Sequence, residues 1–161
     1  MSYITTYTGK HFDPAEPERD KIDIRDIAHA LSLICRGNGH VKTFFSVGQH
    51  CIHCALEAEA RGYSSRLILA CLLHDASECY LSDVPRPIKG NLPQYKVVEE
   101  RLLEQVYIKY LGSALTDEEE RQVKQIDCGL SIPALWEPRS RETAMWEPRW
   151  CARTLRMKRW A

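Results

Sequence analysis

The spacing of apolar residues along the first half of the chain predicts amphipathic helices. Between residues 24 and 35, apolar side chains recur at intervals of three and four, which places on one helix face Ile24, Ile27, Ala28, Leu31 and Ile34. The Gly37-Asn-Gly39 run is expected to end this helix. Residues 44–61, followed by Gly62, are predicted as a second helix, and residues 4–7 as a short strand.

The most apolar segment predicts a buried central helix. Ser64 or Ser65 can cap a helix over residues 66–81, whose stretch LILACLL is apolar on every side. After a loop rich in proline, a fourth helix is predicted over 94–111, ended by Gly112. The capping box Thr116-Asp-Glu-Glu119 opens a fifth helix to about residue 130. We therefore expect an all-α domain, with five or more helices around the central one.

Composition narrows the classes of function. The chain has 161 residues, 44% hydrophobic and 27% charged, with Lys+Arg and Asp+Glu both at 22. This zero net charge argues against a nucleic acid polymer as partner. No apolar run reaches membrane-spanning length and the N-terminus has no secretory pattern, so we expect no membrane association. Seven cysteines, an odd number, are interpreted as reduced thiols of a cytoplasmic protein.

The His74-Asp75 doublet carries the strongest chemical signal. It belongs to the most apolar predicted helix, where polar groups need partners, and a metal ion is one such partner. Glu78 lies four residues after His74 and three after Asp75, and so shares a helix face with each. A polar helix end hydrogen-bonded to its neighbours is the alternative interpretation.

Residues on the neighbouring helices extend this candidate site. His50 lies on the second helix, with His53 three residues later, and imidazole is a common metal ligand. Asp127, among apolar residues of the fifth helix, faces inward or caps a turn. Cys51-Ile-His-Cys54 is a CxxC motif, but it falls in the middle of a helix and has no second ligand pair, which disfavours a redox or zinc-finger role.

Three stretches of the sequence resemble the HD-domain phosphohydrolases. They are ICRGNGHVKTFFSVGQHC, LLHDASECYLSDVPRPIK and KQIDCGL, and the match runs from about residue 23 to 130. The pattern HDASE followed by D-x-P-x-P-x-K is more specific than a His-Asp doublet, and is similar to compact 5′-deoxynucleotidases and phage-type dATP triphosphohydrolases. The resemblance implies a helical bundle of the HD-domain type with one catalytic divalent metal ion, spanning residues 1–161 with a divergent segment at 131–161.

The resemblance also implies roles for individual residues. The metal ligands would be His50, His74, Asp75 and Asp127, where His50 follows SVGQ in place of the family's SVAEH. The catalytic glutamate and the loop aspartate correspond to Glu78 and Asp83, and the phosphate-binding residues to Arg36 and Lys89. Mixed His and carboxylate ligation suits Mn, Co, Fe, Zn or Ni. A homo-oligomer is also expected.

A small nucleotide is the expected substrate. Arg36 and Lys89 suffice to neutralise the two charges of a 5′-monophosphate, whereas a triphosphate carries about four and would need further cations such as Lys42 and Arg86. We therefore expect hydrolysis of 2′-deoxynucleoside monophosphates. Triphosphate removal from a dNTP is the alternative, and a non-catalytic nucleotide-binding or regulatory module is the alternative of another class.

The C-terminal segment does not follow the family pattern. Trp-Glu-Pro-Arg occurs at residues 136–139 and again at 146–149, and all four tryptophans lie in the last 26 residues. Residues 134–161 hold seven Lys/Arg against three Glu. We interpret these residues as a terminal segment whose aromatic side chains pack on the core or on another subunit.

Overall fold

The computed structural model describes residues 3–130, so the repeated Trp-Glu-Pro-Arg segment lies outside the described residues. Two short strands, β1 (Ile4–Thr5) and β2 (His11–Phe12), pair antiparallel with Ile4 opposite Phe12. The helices are α1 (Ile24–Leu33), α2 (Val47–Ala60), α3 (Ser65–Leu73), α4 (Glu78–Leu81), α5 (Arg86–Lys89), α6 (Pro93–Leu111) and α7 (Asp117–Gly129). The predicted all-α character is confirmed for this part of the chain.

Helices α2 and α3 lie at the centre of the bundle. They pack most extensively on each other. α1 lies against α2, α6 lies against α3, and α7 contacts both α2 and α3. The core includes the fully buried Val47, Ala70, Leu102, Val106 and Ile126, and α1 adds the buried Ile27 and Leu31. A Cβ at Gly48 would lie 3.3 Å from the Leu31 carbonyl oxygen, which shows how closely α1 and α2 approach.

The local stop and start signals of the helices are largely confirmed. The Ser64 side chain accepts from the Leu67 N–H, Thr116 and Glu119 form the predicted capping box, and Gly112 ends α6 at φ +85°. Two predicted boundaries are wrong. α1 ends at Leu33, before the expected residue 35, and α2 begins at Val47, because Ser46 forms a capping box with Gln49.

The predicted central helix over residues 66–81 is not continuous. α3 ends at Leu73, and the backbone then tightens, with i→i+3 hydrogen bonds from Ala76 N–H to the Leu73 carbonyl and from Glu78 N–H to that of Asp75. The His74 ring accounts for part of this change. Its Nδ1 lies 2.8 Å from the Cys71 carbonyl, the acceptor that an α-helical Asp75 N–H would use. His74 and Asp75 thus occupy a tight turn at the end of the central helix.

Two further differences concern the segment after this turn. The proline-rich loop contains the short helix α5, with Pro85 as its N-cap. The helix predicted over 94–111 begins one residue earlier, at Pro93; its buried residues are Leu102, Val106 and Tyr107, whereas Val97 is 63% exposed. Among the described helices, none combines the length and the apolar character that crossing a bilayer requires.

Candidate metal centre

Two imidazoles and two carboxylates converge where α2, α7 and the turn after α3 meet. The Nε2 atoms of His50 and His74 are 3.2 Å apart, and His50 Nε2 is 3.1 Å from Asp127 Oδ1. Asp75 Oδ2 lies 3.3 Å from His74 Nε2 and 3.7 Å from His50 Nε2. The structure therefore brings together the four residues predicted as ligands, although they are up to 77 positions apart in sequence.

Local backbone structure orients the His50 and His74 rings towards the same point. The Ser46 capping box starts α2 so that His50 falls in its first turn, where it is 2% exposed. A neutral His74 ring that donates from Nδ1 to the Cys71 carbonyl keeps an unprotonated Nε2 facing His50. A metal-binding histidine is commonly oriented by such a hydrogen bond from its second nitrogen.

The electrostatics favour ionised carboxylates at this point. Burial raises the pKa of Asp75, but His74 and Arg36 outweigh it and hold that pKa at about 2. Burial would raise the pKa of Asp127, but the nearby His50 and His74 imidazoles outweigh it and lower that pKa below its usual range. Burial lowers the pKa of His74, but Asp75 and Asp127 raise it well above its usual value. In the metal-free protein both carboxylates therefore stay ionised and His74 holds a second ring proton, which a bound metal ion would replace.

Two cysteines of α2 lie beside the same imidazoles. Cys54 Sγ is 3.6 Å from His50 Nε2, and ligand atoms of His50, Cys54 and His74 all lie within 4.8 Å of one another. The same holds for Cys51, His74 and Asp75. Burial raises the pKa of the Cys54 thiol to about 12. The described residues thus include His, Cys and Asp side chains close enough together to hold a metal ion.

Arg36 occupies the space between the carboxylates. Its side chain is 13% exposed, and Nη1 is 2.9 Å from Asp75 Oδ2, 3.7 Å from Asp83 Oδ2 and 3.9 Å from Glu78 Oε2. Nη2 is 3.7 Å from Asp127 Oδ1. Arg36 is held in this position by its backbone N–H, which donates to the Phe45 carbonyl at 2.8 Å. Arg36, the residue predicted to bind phosphate, therefore lies within the acidic cluster.

Glu78 is the most deeply buried carboxyl group of this cluster. It is 2% exposed, and Oε2 accepts no hydrogen bond from any residue the structure describes. Burial, then the charges of Asp75 and Asp83, raise its pKa to about 9, against the opposing effect of Lys89 and Arg36. In the metal-free protein Glu78 therefore carries a proton at neutral pH. Such a group exchanges protons readily when its surroundings gain positive charge.

Lys89 reaches the cluster from α5. Its Nζ lies 3.3 Å from Glu78 Oε1 and 2.5 Å from Glu99 Oε1, and 5.6 Å from the centre of the Tyr95 ring. Glu99 and Tyr95, on α6, were not predicted as site residues. The sequence offers no periodic or motif signal for them, because their approach depends on the path of the loop between α4 and α6.

Asp83 is presented by a strained backbone. Ser82 has φ +74° and ψ 157°, a region that glycine occupies far more readily than other residues. The Tyr95 hydroxyl donates to the Ser82 carbonyl at 2.9 Å and supports this conformation. Asp83 Oδ2 then accepts from the Gly37 N–H at 3.3 Å, which ties the loop after α4 to the Arg36 loop.

A cavity of about 360 Å³ opens onto these groups. Its charged lining consists of four acidic and three basic side chains, namely Asp75, Glu78, Asp83, Asp127, Arg36, Arg86 and Lys89. Arg86, which sequence reasoning considered only for a triphosphate, lies 2.5 Å from Asp127 Oδ2 and is 65% exposed. His53 was not among the predicted ligands, and the centre of its ring lies 5.5 Å from that of Phe45.

The comparisons with known proteins give relatives without a described activity. The chain is 41% identical over 110 residues to the uncharacterized protein YfdR of Escherichia coli, covering 68% of this chain and 59% of that protein. It is 33% identical over 126 residues to an uncharacterized protein of Rhodobacter capsulatus, covering 74% and 64% of the two chains. No family model matches the chain. The chain thus spans less than two thirds of the length of each of these curated relatives.

Proposed function

We propose that the protein is a metal-dependent phosphohydrolase of the HD superfamily that hydrolyses the 5′-phosphate of 2′-deoxynucleoside monophosphates. The observation that carries this proposal is the convergence of His50 Nε2, His74 Nε2, Asp75 Oδ2 and Asp127 Oδ1, next to a cavity whose mixed charged lining includes three basic side chains. The sequence resemblance of residues 23–130 supplies the reaction class.

The donor set fits a divalent transition metal. Neutral imidazole nitrogens and carboxylate oxygens together suit Mn, Co, Fe, Zn or Ni. The side chains of His50, His74, Asp75 and Asp127 would hold the ion. When bound, a divalent cation lowers the pKa of water from about 16 towards neutrality and so supplies hydroxide for attack on phosphorus.

The charges of the cavity support a cation as part of the binding site. With Glu78 protonated, the three ionised aspartates of the lining balance its three basic side chains, so the lining alone has no net positive charge to attract a phosphate dianion. With a divalent cation held by the four ligands, the site would gain two positive charges and become net positive. Arg36 and Lys89 are then free to attract the phosphate oxygens, and guanidinium offers paired donors for them.

Proton transfer falls to the two carboxyl groups that are not assigned as metal ligands. Glu78 lines the cavity, and its buried Oε2 accepts no hydrogen bond among the described residues, so once Glu78 has lost its own proton it can take the proton of the attacking water. Neutralising Asp75 with a cation removes one cause of the raised Glu78 pKa. Asp83 lines the same cavity and would protonate or orient the leaving 5′-oxygen. The reaction consumes one water and yields a deoxynucleoside and inorganic phosphate.

Triphosphate removal is the second candidate, and Arg86 is the observation that favours it. This third cation lines the same cavity, and Lys124 lines an adjoining one of about 370 Å³. We place the monophosphate first because the loop that carries Asp83, Pro85, Pro87 and Lys89 resembles that of the monophosphatases of the family. The two cations assigned to the phosphate, Arg36 and Lys89, match the two charges of a monophosphate.

The test is a substrate panel with product identification. Purified full-length protein is incubated with dNMPs, NMPs, dNTPs and single-stranded DNA in Mn²⁺, Co²⁺, Zn²⁺ or Mg²⁺. The proposal expects inorganic phosphate and a nucleoside from dNMPs. Triphosphate released from dNTPs, with dNMPs unchanged, would move the assignment to the triphosphohydrolase. An absence of turnover with every nucleotide and metal would overturn both and favour a non-catalytic module.

A further inference from the structure

The CxxC motif of α2 places a thiol beside the two imidazoles of the candidate centre. Cys54 follows His50 by one helical turn and is 1% exposed. Its Sγ lies 3.6 Å from His50 Nε2, and within 4.8 Å of the ligand atom that His74 offers. The four ligands assigned by the proposed function do not include this thiol.

The spacing of these atoms matches that of two ligands on one soft metal ion. Zinc binds thiolate sulfur at about 2.3 Å and imidazole nitrogen at about 2.05 Å, which for tetrahedral ligation separates the two ligand atoms by about 3.6 Å. Two imidazole nitrogens on such an ion are about 3.3 Å apart. The corresponding separations here are 3.6 Å for Cys54 and His50, and 3.2 Å for His50 and His74.

We propose that Cys54 releases its thiol proton to solvent when metal binds, becomes a thiolate ligand of the metal centre, and makes the centre selective for thiophilic divalent cations such as Zn²⁺ and Co²⁺ over Mn²⁺ and Mg²⁺. Soft sulfur ligands favour zinc, whereas sites made of oxygen donors favour magnesium and manganese. The inference rests on the proposed function only in that the ion shares His50 and His74, and a tetrahedral ion bound to Cys54 would keep one of the two carboxylate ligands. It adds the property that determines which metal the site selects.

The other cysteines of the central helices provide controls. The Cys71 thiol is fully buried on α3 and belongs to neither set of clustered ligand atoms, so Cys71→Ala repeats the loss of a buried thiol outside those sets while keeping the backbone carbonyl that faces His74. Cys51 lies near His74 and Asp75 but not in the set that contains His50, so Cys51→Ala tests the competing ligand. Cys54→Ser keeps the side-chain size where Cys54→Ala leaves a cavity.

The experiment uses full-length protein, stripped of metal with a chelator and titrated with Co²⁺. A thiolate bound to cobalt gives an intense near-ultraviolet charge-transfer band. We expect this band in the wild type, Cys71→Ala and Cys51→Ala, and its loss in Cys54→Ser and Cys54→Ala. Zn²⁺ affinity from competition titration should fall roughly tenfold or more in the Cys54 variants, while Mn²⁺ affinity stays unchanged. Thermal unfolding followed by circular dichroism establishes that each variant is folded.

The contrary outcomes are distinct. A band that survives in both Cys54 variants, or that disappears in Cys51→Ala, overturns the assignment of Cys54. So does an unchanged ratio of Zn²⁺ to Mn²⁺ affinity. Nucleotide hydrolysis without a sulfur band would overturn this inference and leave the proposed function standing. A band that depends on Cys54, without hydrolysis of any nucleotide, supports this inference and counts against the proposed function.

Discussion

Arg36 and Asp75 are joined by a hydrogen bond of 2.9 Å, with side chains only 13% and 16% exposed. The accepting atom, Asp75 Oδ2, is also the oxygen that lies 3.3 Å from His74 Nε2. Arg36 and a metal ion held by His74 would therefore share one carboxylate oxygen. In the metal-free protein the guanidinium supplies the positive charge that the acidic cluster requires.

Arg36→Gln is expected to destabilise the metal-free protein. Removing the guanidinium leaves Asp75, Asp83 and Asp127 without their shared cation, at a cost on the order of 2 kcal/mol. A divalent cation should restore more stability to this variant than to the wild type, because it replaces the lost charge. Urea unfolding with EDTA and with Mn²⁺ measures both effects. The control is Arg25→Gln, whose side chain is 70% exposed and should change stability little. Equal stabilisation by metal in variant and wild type would contradict the prediction.

Alanine at His50 and at His53 should have opposite consequences for metal binding. His50 Nε2 belongs to the cluster, whereas the His53 ring packs near Phe45. We expect His50→Ala to lose metal affinity by roughly a hundredfold or more, since it removes a ligand outright. His53→Ala should keep its metal. Metal analysis after gel filtration, together with titration calorimetry, provides the comparison, and a larger loss in His53→Ala would reassign the ligand.

Glu78→Gln should separate metal binding from turnover. The amide keeps the size of the side chain but cannot accept the proton of water, so hydrolysis should fall by about a hundredfold or more while the metal content stays unchanged. Glu100→Gln is the matched control, because Glu100 is exposed and pairs with the exposed Lys96. Near-normal turnover in Glu78→Gln would reduce Glu78 to a residue that positions Arg36 and Lys89.

The raised pKa of Glu78 also predicts how stability depends on pH. Folding raises this pKa from 4.5 to about 9, so the folded state holds the proton more tightly than the unfolded chain. The corresponding stability is fully present below pH 4.5 and is lost as the pH rises towards 9. Glutamine has no proton to lose and should not show this decline.

The free energies of unfolding of metal-free wild type and Glu78→Gln should therefore diverge between pH 5 and 8. The difference should change in favour of the variant by on the order of 1–3 kcal/mol. The other charged groups that face Glu78 are Arg36, Asp75, Asp83 and Lys89, and they are present in both proteins. Urea unfolding in EDTA at several pH values is the measurement. A difference independent of pH would show that Glu78 titrates normally.

Helix ends that depend only on residues close in sequence are predictable from the sequence. The caps at Ser64, Thr116 and Gly112 were predicted because each needs only a hydroxyl or a glycine at the end of an apolar pattern. The break after Leu73 was missed, because the His74 ring competes with the backbone for the Cys71 carbonyl. An apolar pattern carries no information on that competition.

The candidate site also combines residues that the sequence identifies with residues whose approach depends on the fold. The resemblance to a family supplied His50 and Asp127 as a pair, although 77 positions separate them. Cys54 could have been found from its spacing, because a residue four positions after His50 shares its helix face. The approach of Glu99 to Lys89 depends on the fold of the intervening loop, and the sequence alone gave no sign of it.

The position of Asp127 in the last turn of α7 has a consequence for local unfolding. α7 is held to the bundle through α2 and α3, and its C-terminal turn carries the carboxylate that faces His50. A cation held by both residues would fasten that turn to α2 and oppose fraying of the helix end. Backbone amide protons near Ile126 should then exchange with deuterium more slowly when metal is present. The exchange rate at the C-terminal end of α7 would therefore report whether the metal site is occupied.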